Sequence, residues 1–166
     1  KWNFVLLSPH QLLPPNRYRA LAKIELNMKI NVDKTLEQIE KEYWPEPNHD
    51  SYLVRTCHLL RKKPIADFEI EDLRILISQN ISLNVLVPIA LDKLKENVFA
   101  EGNFYEGDLL ISVLTSDPKY WIDNKSNWKA VCDTFETNVE SLKQFDTTWK
   151  IRKNWFDNYE LFRRIH

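Results

Sequence analysis

The sequence predicts an all-α fold, a compact bundle of about six to eight helices, and three observations carry that expectation. Apolar residues recur at helical spacing, most regularly at Leu83, Leu86, Val87, Ala90, Leu91 and Leu94, which share one stripe of a helix. Capping residues and prolines bracket the periodic runs. No run alternates apolar and polar residues between turn glycines, the pattern of a half-buried strand, and the whole chain holds only Gly102 and Gly107.

The elements follow in order. Thr35, with Gln38 three residues on, forms a capping box for a short helix through Tyr43, which Pro45 and Pro47 end. Asp50 or Ser51 caps a second helix whose Leu53, Cys57 and Leu60 share a face. Arg61, Lys62 and Lys63 in its last turn suit the helix dipole, and Pro64 stops it. A third helix spans about Ile70 to Gln79, with Glu71 and Asp72 in its first turn. The Leu83 run comes next, with Pro88 inside it; that residue lacks a backbone donor and should kink the helix. A loop with both glycines leads to a short helix carrying Leu109, Leu110, Val113 and Leu114. Asp117-Pro118 reads as N-cap and first helical residue. Ser126 starts a helix carrying Val131, Phe135, Val139 and Leu142. The last segment, with Trp149, Trp155, Phe156, Tyr159 and Phe162, makes one more amphipathic helix.

Length and composition bound the domain organisation. A chain of 166 residues with 43% apolar and 28% charged residues is an ordinary single globular domain. Residues 1–27 stand apart, with a net charge of +3, three prolines and no sustained helical period. Met28 is the only methionine, so residues 1–27 read as an upstream extension or disordered arm and residues 28–166 as the helical domain. Ala20-Leu21-Ala22 resembles a signal-cleavage site, but Phe4–Leu7 is too short for the apolar core of a signal peptide.

Two glycines leave no P-loop, no dinucleotide fingerprint and no nucleophile elbow. Cys57 and Cys132 read as buried free thiols. With His49 and His58 they fit no usual zinc spacing, and no base marks Cys57 as a nucleophile. No metal ligand or catalytic residue is assigned. Residues 28–149 carry a net charge of −7, against +3 for residues 150–166. An acidic middle disfavours nucleic acid and steers basic partners.

Two acidic patches are candidate sites. One is the loop with Glu101, Glu106 and Asp108 around Phe104 and Tyr105; the other is Asp67, Glu69, Glu71 and Asp72. Each can be read as a solvated acidic segment with helix first-turn acids, as a partner-facing surface with aromatic anchors, or as paired carboxylates for acid–base work. The basic aromatic tail (Lys150, Arg152, Lys153, Trp155, Arg163, Arg164) could touch nucleic acid or membrane, or pack as a helix with a solvated basic face.

Read as a string, the segments CHLLRKKP, DLRILISQN, PIALDKLKEN and FAEGNFYEGDLL, in that order, resemble the contact-dependent growth inhibition immunity proteins of bacteria. KTLEQIEKEYWPEP before them and TSDPKYW after them also fit, so the resemblance covers about residues 34–121. It implies a small cytoplasmic protein that is not an enzyme and needs no cofactor. Its partner would be the C-terminal toxin domain delivered by a neighbouring cell, with no direct contact to nucleic acid or membrane. Such toxins are very often nucleases, and an acidic inhibitor would act as an electrostatic decoy over a basic active site. A helical adaptor or scaffold module, or an RNA-binding domain using the basic tail, would share much of this composition.

Overall fold

The computed structural model describes residues 31–47 and 51–166; the expectations for residues 1–27, Met28, His49 and Asp50 lie outside them. Nine α-helices occur among the described residues. The first, α1 (Leu36–Glu40), opens on the expected capping box: Gln38 N–H donates to Thr35 Oγ1 at 3.2 Å and Thr35 N–H to Gln38 Oε1 at 3.1 Å. It ends short of Tyr43, because Lys41 turns into the left-handed region at φ 55°. Ser51 caps α2 (Tyr52–Arg61). Then follow α3 (Ile70–Ser78), α4 (Leu83–Glu96), α5 (Asp108–Leu114) and α6 (Pro118–Asp123), the last with Asp117 as N-cap and Pro118 in its first turn.

The helix expected from Ser126 to Leu142 is two: α7 (Lys125–Thr137) and α8 (Val139–Gln144). The break falls at Asn138, whose side-chain N–H donates to the Thr134 carbonyl at 2.8 Å. Asparagine competes with the backbone for such carbonyls and so favours helix ends. Helix α9 (Trp149–Phe162), capped by Thr148 Oγ1, is followed by one 3-10 turn at Arg163–Ile165.

Packing follows the periodic stripes. Helix α3 pairs most extensively with α5, which also packs on α9, while α4 packs on α7 and α3. Leu86, Val87, Ala90 and Leu94 of α4 are all buried, as are Leu73, Leu76 and Ile77 of α3. Helix α4 runs through Pro88 as one element; the missing donor would have served the carbonyl of Asn84, an exposed residue. Both cysteines are buried and free. Trp155, Tyr159 and Phe162 of α9 are buried too, so the basic aromatic tail is a packed helix.

A glycine-poor chain turns its corners with other residues. Lys41, Asn80 and Ser82 all have positive φ, a region that costs about 1–2 kcal/mol outside glycine and less for asparagine. Each is braced. Asn80 Oδ1 accepts from Asp117 N–H at 2.8 Å, Ser82 Oγ from Arg61 Nη1 at 3.2 Å, and the Glu42 carbonyl beside Lys41 from Arg61 Nη2 at 2.9 Å. Among the described residues, no helix is long and apolar enough to cross a membrane.

Candidate functional site: a clasped aromatic loop

Residues 97–107 join α4 to α5 as a loop with an internal scaffold. Asn97 Oδ1 accepts from Phe99 N–H at 3.0 Å, and the Phe99 carbonyl from Gly107 N–H at 3.1 Å. The projecting part is held from outside. Three consecutive backbone N–H groups, of Gly102, Asn103 and Phe104, donate to two carboxylates: Asp108 Oδ1 (2.7 Å), Glu71 Oε2 (2.9 Å) and Asp108 Oδ2 (3.2 Å), respectively. Charge-assisted bonds of this kind are among the stronger ones.

One guanidinium balances both acids. Arg74 binds Glu71 through Nε at 2.6 Å and Nη2 at 2.7 Å, and its Nε lies 3.8 Å from Asp108 Oδ2. The Arg74 bonds hold the Glu71 carboxyl below the usual carboxylate range against the opposing effect of burial. Buried carboxylates left without such a partner would be costly to ionise.

Both glycines of the chain serve this loop. A Cβ on Gly102 would lie 2.4 Å from Glu71 Oε2, the atom that binds Asn103. Gly107 sits at φ +77°, and a Cβ there would lie 2.8 Å from the indole nitrogen of Trp155 on α9. Trp155 is fully buried beneath the loop, and Phe99 packs obliquely on it at 5.8 Å between centroids. The loop therefore draws on α3, α5 and α9 together: the first two clasp it and the third seats it.

What the loop presents is aromatic. Phe104 is 68% exposed, with the Arg74 guanidinium 4.4 Å from its ring centroid, so one face is backed by charge and the other faces outward. Tyr105 is half-buried and borders an open depression shared with Ile151 and Asn154 of α9.

The candidate residues divide by role. Asp108 is 4% exposed and, like the half-buried Glu71, points into the clasp. Asp72 accepts from Glu69 N–H at 2.9 Å as part of the α3 cap and pairs with Lys63 at 2.6 Å; that bond raises the Lys63 pKa. Glu101, Glu106, Asp67 and Glu69 carry no ion pair among the described residues, and all but the half-buried Glu106 are exposed. The two acidic patches are joined: Glu71 of one holds Asn103 of the other. Sequence reasoning missed Arg74, which lies one helical turn after Glu71 on α3, and it missed Trp155 as the seat of Gly107. The available signal was the placement of both glycines within six residues of a chain otherwise without them.

Among the described residues, no three His, Cys, Asp or Glu side chains gather as a metal site. The loop offers exposed aromatic surface, a residue type enriched at protein interfaces. The family model for CDI immunity proteins matches residues 38–131, more than half the chain and the whole of the loop. The chain belongs to that family, the one its sequence segments resemble. No curated protein and no solved structure matches it.

Proposed function

We propose that this protein binds the C-terminal toxin domain of a contact-dependent growth inhibition system and neutralises it by covering its active site, and that it does so in the cytoplasm without catalysis of its own. The observation that carries this reading is the family match over residues 38–131, which contains the clasped loop, Arg74 and both acidic patches. The toxin-facing surface is centred on Phe104 and Tyr105, with Glu101, Glu106, Asp67 and Glu69 around them. A nuclease with a basic, phosphate-binding site is the toxin class that these charges suit, since they would steer it to the loop.

The test is co-expression. Cells making the toxin domain encoded immediately upstream of this gene should survive only when they also make this protein. Phe104→Ala should weaken binding of that domain by about tenfold or more, because truncating a central aromatic anchor commonly costs 2 kcal/mol, while the melting temperature stays within a degree or two. Failure of the unmodified protein to protect would refute the reading. Protection with an unaffected Phe104→Ala variant would move the interface elsewhere.

A further inference from the structure

We propose that the depression between Tyr105 and the first turns of α9 receives an apolar side chain of the toxin domain flanked by a carboxylate, and that Lys150 is the residue that recognises the carboxylate. This rests on the toxin-binding reading and names the part of the surface that sets which toxin is accepted.

The depression has an apolar floor and a rim of defined sign. Tyr105 and Ile151 are half-buried in it, with Thr148 and Asn154 beside them. On the rim, Lys153 is already paired with Asp157, so those two charges cancel. Lys150 is exposed, and its ammonium has no ion pair or hydrogen bond among the described residues. The rim therefore carries one uncompensated positive charge, opposite in sign to Glu101 and Glu106 on the neighbouring loop. An incoming carboxylate gains from Lys150, whereas a lysine or arginine in its place is repelled; rejecting the wrong partner in this way is half of specificity.

Both walls are fixed before binding. The Tyr105 carbonyl accepts from Asp108 N–H at 3.1 Å, and the loop is pinned at Phe104 and seated on Trp155. Helix α9 is anchored by its buried Trp155, Tyr159 and Phe162. A preformed site loses less entropy on binding than a mobile one. The walls also differ in origin. Tyr105 lies inside the family match, whereas α9 lies beyond residue 131, where the match ends. The loop wall lies within the family match, and the Lys150 wall lies outside it.

The probe is the purified toxin domain encoded immediately upstream, titrated against the full chain by calorimetry at low and moderate salt, with circular dichroism on each variant. Lys150→Glu should weaken binding by about tenfold or more, a change of about 1.4 kcal/mol. Asp157→Asn, which frees Lys153, should tighten it, most at low salt. If the unmodified chain binds but Lys150→Glu is neutral or tighter, or Asp157→Asn weakens binding, the depression does not take a carboxylate and this inference fails while the toxin reading stands. If Lys150→Glu instead dissolves a dimer of the free protein and leaves toxin binding intact, the occupant is a second copy, and the inference again fails. If the unmodified chain binds no toxin, both readings fall.

Discussion

Two arginines in this protein do the same local chemistry beneath aromatic rings of different exposure. Arg61 is 2% exposed and ties irregular backbone together, donating to Glu40 at 2.7 Å, the Glu42 carbonyl at 2.9 Å and Ser82 at 3.2 Å. Trp44 lies over its guanidinium at 4.2 Å and is half-buried. Arg74 also ties irregular backbone, through Glu71 and Asp108, and also carries an aromatic lid, Phe104 at 4.4 Å. The difference is where the aromatic faces. Trp44 closes its cluster, with His58 packed edge-on at 5.1 Å, whereas Phe104 leaves most of its ring outside. A cation–π pair stabilises by about 0.5–1 kcal/mol where it is exposed and by about 2 kcal/mol where it is desolvated, so the pair on the buried Arg61 is the stronger. Of the two aromatic lids, Phe104 is the one with most of its ring open.

Breaking each cluster should expose the contrast. The largest effect is expected at the closed one: Arg61→Ala leaves Glu40 without its partner and removes the braces of Ser82 and Glu42. Loss of one member of a buried pair costs about 3–5 kcal/mol; because Glu40 is 24% exposed, the lower end is expected in urea unfolding. A loss below about 1 kcal/mol would show that the node is incidental to the fold. Toxin binding by the folded fraction should be unchanged.

Gly107→Ala tests the seat of the open cluster. A left-handed φ costs an alanine about 1–2 kcal/mol, and overpacking against Trp155 adds about 1–3 kcal/mol, so a total of about 2–5 kcal/mol is expected. Trp155 emission should shift as its surroundings loosen. Full stability in this variant would mean that the loop does not rest on α9 as described.

The smallest effect is a dependence on pH. The folded Glu71 carboxyl titrates below its unfolded value because of Arg74. Its contribution is therefore fully present above about pH 4.3, the ordinary glutamate value, and is lost as pH falls through the lower folded value. Glu71→Gln should melt below the unmodified protein at pH 7, and the gap should close as pH falls below about 4. A gap that is constant down to pH 3 would remove the ion pair from the clasp.

Local chemistry was legible in the sequence, and cross-chain pairing was not. Thr35 with Gln38, Ser51, and Asp117-Pro118 announce helix starts because capping involves residues two or three apart. The stripe of Leu86, Ala90 and Leu94 announces its burial through its period. The break at Asn138 is hidden because Val131, Phe135, Val139 and Leu142 keep a helical spacing across it. Within the candidate site, Phe104 and Tyr105 stood out as aromatics among acids, but the sequence is silent on which way each acid points. Asp108 and Glu101 look alike in FAEGNFYEGDLL; one binds the Gly102 and Phe104 amides and the other is exposed. Arg74 and Trp155 gain their roles from residues that only folding brings near.

The seat of Gly107 also has a consequence in time. The chain is made from its N-terminus, at about 5–20 residues per second, so the ribosome finishes the loop seconds before it adds Trp155. The carboxylate clasp needs only α3 and the first residues of α5 and can close early, but the floor beneath Gly107 arrives with the last of the described helices. A nascent chain thus carries the loop before it carries the pocket. If the loop and α9 together receive the toxin, a cell entered by toxin depends on the stock of protein it has already finished, not on what it is still translating.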